Sequence, residues 1–131
     1  MYQTSDTFAY HRQQLVKFTE NLPVALTQII QEEQQKELIT SLQEACETLD
    51  SDTINGWQLA QNWFFCFIGN HPQLTPIVPR DLLWFLGGDC LHFLTDDEIS
   101  QFQKIEDKVA NEGLHWIEAH RQVLSESSLT H

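Results

Sequence analysis

The segment PRDLLWFLGGDCLHFLTDDEI, Pro79 to Ile99, brings Asp89, Cys90 and His92 close together, donor types that serve as nucleophile, base or metal ligand. A cysteine in the first turn of a short helix, here capped by Asp89, gains acidity from the aligned backbone amides. His92 stands two residues on, and side chains two apart on a helix point to different faces, so it is poorly placed to take the Cys90 proton. Asp89, Asp96 and Asp97 add negative charge that disfavours a thiolate. As ligands, Asp89, Cys90 and His92 with His71, His115 or His120 follow neither H-E-x-x-H nor paired C-x-x-C spacing, so no metal and no cofactor is expected. The glycines of FLGGDC lack the spacing of a dinucleotide loop and the Lys-Ser/Thr of a P-loop. The segment therefore predicts a corner. Gly87 and Gly88 end one short helix, Asp89 caps the next turn, and the reversal aims Trp84, Phe85 and Phe93 over the preceding long helix.

A second constellation comes from polar residues on apolar faces. Glu106 falls among Ile99, Phe102 and Val109, and His120 among Trp116, Val123 and Leu124. If their helices form a hairpin about Gly113, carboxylate and imidazole approach one another, an arrangement used in general acid/base chemistry and equally in satisfying two core polar groups.

The elements that would position these residues are helical. Phe8, Leu15, Phe18 and Leu22 repeat at helical spacing, Pro23 then kinks that helix or opens the next, and Gln31 to Glu37 is solvated helix-forming material. Leu38, Leu42, Ala45 and Leu49 form a second stripe. Asp52 or Thr53 caps a third helix running to Gly69, on which Asn55, Gln58, Gln61, Asn62 and Gly69 gather in one arc. Leu59, Cys66 and the remaining apolar residues cover the rest, and Phe65 alone projects from the polar arc. A short helix spans Arg80 to Leu86, with Asp81 favouring the dipole of its first turn. Thr95 and Glu98 of TDDE form a capping box, Gly113 closes the helix it opens, and a last helix runs from Leu114 to about Glu126, beyond which the chain frays. No segment alternates with period two. An all-α, single-domain bundle of five or six helices over residues 1–131 is expected.

Seven Lys and Arg against nineteen Asp and Glu leave a formal charge of −12, which argues against nucleic acid and anionic membrane as partners. From Thr53 to Pro79 no charged residue occurs, yet the densest apolar part, Trp63 to Ile68, is far shorter than the ~20 residues a bilayer needs. The N-terminal stretch MYQTSDTFAYHRQQ has no apolar signal region, and three cysteines, Cys46, Cys66 and Cys90, make no even framework, so a cytoplasmic protein with free thiols is expected. Eight Phe and four Trp in so small a chain exceed what one bundle usually hides, which points to an interface involving Phe65, Trp84, Phe85 and Phe93.

LLWFLGGDCLHFL followed by DDEI and FQ, with HPQLTPIVPRD upstream, resembles a small family of uncharacterised proteins from Pseudomonas-like bacteria, over Asn70 to Gln103. The resemblance implies no catalytic residue and no established activity. Some similar proteins carry a dehydrogenase label, which the glycines here do not support. The expected function is protein–protein interaction, as a homodimer. The alternatives are an enzyme using Cys90 and His92 or the Glu106 and His120 pair, and a metal-dependent regulator.

Overall fold

The computed structural model describes the backbone of residues 5–27 and 30–129, and side chains of 7–27 and 30–125. Six α-helices follow in order: α1 (Ser5–Leu26), α2 (Glu32–Ser51), α3 (Thr53–Asn70), α4 (Arg80–Leu86), α5 (Asp96–Glu112) and α6 (Trp116–Leu129). Two 3-10 helices, Pro72–Ile77 and Gly88–Phe93, flank α4. There is no strand among the described residues, and the fold is all-α in a single compact domain.

Helix α1 runs through Pro23 instead of stopping there. Proline removes one backbone donor near the helix end, and the buried Leu15, Phe18, Leu22 and Leu26, all on one face, hold the last turn in place. Burying each such side chain contributes roughly 1.5–3 kcal/mol, comparable to the loss. A single non-helical residue, Asp52, separates α2 from α3; its carboxylate accepts from the Asn55 backbone N–H at 3.2 Å and from Asn55 Nδ2 at 2.6 Å. The two helices then run antiparallel, and Gly56 lets them touch: a Cβ there would lie 2.6 Å from the Leu49 backbone. Trp63 Nε1 donates to Leu38 O at 3.0 Å and bridges the same pair further along.

The second hairpin is α5–α6. Thr95 and Glu98 form the expected reciprocal capping box, and Gly113, at φ 68°, supplies the left-handed C-cap. Helix α6 begins at Trp116, two residues later than the periodicity suggests, and continues to Leu129, past the expected fraying point; Thr130 and His131 lie outside the described residues. The core fills the space between the hairpins with Phe64, Phe67, Leu82, Leu83, Ile105 and Trp116, among others.

Helix α3 departs from the expected near-complete burial. Leu59 and Cys66, expected inward, are exposed together with Phe65. Their positions fall in the same arc as Gln58, Asn62 and Gly69. Roughly a third of the helix circumference is open, and it is open on an uncharged face.

Candidate functional site

The Gly-Gly corner is a real reversal. Gly87 and Gly88 both have positive φ, 68° and 54°, and Gln61 Nε2 crosses from α3 to donate to Leu86 O at 2.8 Å. A Cβ on Gly88 would lie 2.6 Å from that same nitrogen. Asp89 does not cap the next turn: the N-cap is Gly87, and the Asp89 side chain is largely exposed. The following 3-10 helix is too tight and too short for the cap read from sequence. Phe85 and Phe93 turn back towards α3 as expected, meeting Trp57 at 4.8 Å and Phe65 at 5.9 Å between centroids. Trp84 points the other way, stacking on Phe102 of α5 at 5.8 Å and donating from Nε1 to Glu106 Oε1 at 3.0 Å.

Cys90 and His92 are parted by this geometry. Cys90 is wholly buried, its thiol donates weakly towards Gln61 O at 3.5 Å, and burial together with neighbouring Asp89 pushes its pKa up to about 12. A nucleophilic cysteine needs the opposite shift. His92 stands in solvent, 3.8 Å from Asp89. Among the described residues no group of three or more His, Cys, Asp or Glu could hold a metal ion. Glu106 is engaged by Trp84, while His120 lies edge-on to Phe102 at 6.0 Å.

The polar centre of the molecule lies elsewhere. Asp81, buried in the first turn of α4, accepts from Gln14 Nε2 at 2.8 Å, Tyr10 OH at 3.2 Å and Trp116 Nε1 at 3.3 Å. One carboxylate thus fastens α1, α4 and α6. Burial, and then Asp81, push the Tyr10 phenol up to about 12. Beside it His11 is completely buried: its ring stacks on Phe85 at 4.2 Å and meets Trp116 edge-on at 4.7 Å. Its Nδ1 is 2.8 Å from Thr7 O, and its Nε2 has no hydrogen-bond partner. Desolvation dominates over the Thr7 carbonyl and Asp81, and lowers its pKa to about 4. The ring is neutral at physiological pH, with Nδ1 donating.

Arg80 completes the account of the Pro-Arg-Asp motif. Its guanidinium grips Glu98 with two hydrogen bonds, at 2.8 and 2.6 Å, and Phe93 O with a third at 2.8 Å. Glu98 also accepts from the Thr95 N–H at 2.9 Å, so Arg80 locks the capping box of α5 onto the start of α4. Arg80 draws the Glu98 carboxyl down to about 2.

Sequence reasoning missed this centre, although two signals stood in view. His11 keeps register with Leu15, Phe18 and Leu22, and Arg80–Asp81 is the one charged pair in the otherwise uncharged stretch from Thr53 to Gly88.

No match is found among curated proteins, and none among solved structures. A model of the PA2817-like family does match, over residues 3–128. That span takes in the corner, both hairpins and the buried centre alike, far beyond the Asn70 to Gln103 stretch that carried the resemblance, and the chain belongs to the PA2817-like family.

Proposed function

We propose that the protein acts through protein–protein contact, as a homodimer formed across the open face of α3. The observation that carries this reading is the character of that face: Leu59, Asn62, Phe65, Cys66 and Gly69 are exposed, and none is charged. Two copies that each carry −12 repel one another over most approaches. The uncharged face is where that repulsion is least and where apolar area is available for burial. Phe93 extends it from the corner through its contact with Phe65. Between α2 and α3 a groove of about 380 Å³, bordered by Leu38, Leu59, Trp63 and Cys66 and with Glu44 of α2 in its lining, gives the partner's side chains somewhere to seat. Gly69 supports the same reading, because beyond its chain neighbours and the backbone of its own helix no atom lies within 4 Å of where its Cβ would stand. A helical glycine without an internal reason costs about 0.5–1 kcal/mol relative to alanine, and close approach of a second backbone offsets that cost. Trp84 and Phe85, named with Phe65 and Phe93 from the sequence, contribute through internal packing. The exposed Cys66 thiol favours a reducing compartment, the cytoplasm, as the place of action.

Sedimentation velocity on the wild type and on Leu59→Asp tests this. A dimer is expected for the wild type and a monomer for the variant, whose circular dichroism stays unchanged because Leu59 is exposed. A short thiol–thiol cross-linker joins two wild-type chains, and Cys66→Ser abolishes the product. A wild type that remains monomeric at micromolar to millimolar concentration overturns the reading.

A further inference from the structure

A second groove, of about 420 Å³ and within the size range of small-molecule sites, is enclosed by α1 and the segment entering α4. Its apolar part is formed by Phe18, Leu22, Ile77 and Pro79. Gln13, Lys17 and Asn21, one turn apart along α1, are exposed and form a polar rim. At the end near the buried centre, Tyr10 OH donates to Asp81, and the two N–H groups of Gln14 Nε2 go to Asp81 at 2.8 Å and to Tyr10 OH at 3.5 Å, so neither side chain has a donor to spare. Among the described residues, Lys17 is the one charged residue lining the groove. Arg12, Arg80, Lys108 and Arg121 each pair with a carboxylate, whereas no ion pair forms at Lys17, Lys36 or Lys104 among the described residues, and of these three only Lys17 borders this groove. An unpaired ammonium in so acidic a chain, beside an apolar trough, is complementary to a ligand of opposite design.

From this complementarity we infer that the groove binds a small monocarboxylate with an apolar body, its carboxylate on Lys17 Nζ with the Gln13 and Asn21 amides beside it, and its hydrocarbon part against Phe18, Leu22 and Ile77. The ammonium is exposed, so its contribution is modest and screened by salt. The apolar trough supplies most of the affinity and the lysine the choice of head group.

Decanoate and decanol serve as probes, followed by calorimetry and by amide and methyl chemical shifts on the full chain. Decanoate is expected to bind with shifts at Lys17, Phe18 and Ile77. Lys17→Gln should weaken decanoate by roughly fivefold, the upper end for an exposed ion pair, and leave decanol unchanged. Ile77→Asp, at an exposed position that keeps the fold, should abolish binding of decanoate by placing a like charge on the opposite wall. Absence of binding at millimolar decanoate, shifts confined to the α3 face, or equal loss of both probes in Lys17→Gln each overturns the assignment.

Discussion

His11→Phe should flatten the acid side of the protein's stability curve. In the native state the His11 imidazole is neutral, stacked on Phe85, with Nε2 facing no acceptor, and its pKa is lowered to about 4. In the unfolded chain it returns to about 6.5. Between those values the unfolded state holds more protons, so stability is complete above pH 6.5 and falls as pH drops towards 4. The loss from this one group is about 2 kcal/mol at pH 5 and about 3 kcal/mol at pH 4. For a chain of this length 1 kcal/mol moves Tm by roughly 3–4 °C, so pH 5 should cost the wild type about 7 °C through His11 alone. Phenylalanine keeps the stack and has nothing to protonate. Urea unfolding of both proteins from pH 8 to 4 separates this effect from every other titration, since the remaining histidines and carboxylates are common to the pair and cancel. The variant should gain relative to wild type by these amounts as pH falls. Parallel curves would refute the reasoning, because they would mean that His11 takes up its proton without leaving the core.

Gly88→Val combines a positive φ with a collision against Gln61 and should cost about 3 kcal/mol, read as a Tm lower by roughly 10 °C. Gly56→Ala pushes a methyl group into the Leu49 backbone and should cost about 1–3 kcal/mol in chemical denaturation, with α2 and α3 forced apart. Under native conditions a maleimide should leave Cys90 untouched and label Cys66 quickly in the Leu59→Asp monomer, as peptide mass mapping will tell; modification of Cys90 in the folded protein would contradict its burial. Glu98, held near pKa 2 by Arg80, contributes stability that is present above pH 4.5 and lost as pH falls towards 2, so Glu98→Gln should remove acid dependence in that lower window alone.

What the sequence disclosed and what it withheld divide along the range of the interactions. The limits of α4, the Thr95 capping box and the left-handed Gly113 depend on neighbours within four residues, and each is legible from residue type. Leu59 and Cys66 are exposed against expectation because apolar character specifies a preference for burial without specifying whether a neighbour exists to provide it. Trp84 points away from α3 because the corner fixes only where the chain turns, whereas the Glu106 acceptor that claims the indole lies 22 residues on. Asp81 was harder still. Its first-turn position is fully explained by the helix dipole, and its true partners lie 67, 71 and 35 residues away.

Those separations have a kinetic meaning. The α2–α3 and α5–α6 hairpins close over short loops and can form early, each without reference to the rest of the chain. The Asp81 carboxylate cannot be satisfied until α1 has arrived from one end and Trp116 from the other, and burying it unpaired is costly. The hub is therefore the last latch of folding. Removing one of its donors, as in Tyr10→Phe, should accelerate unfolding while leaving the folding rate nearly untouched, the signature of a contact absent from the transition state.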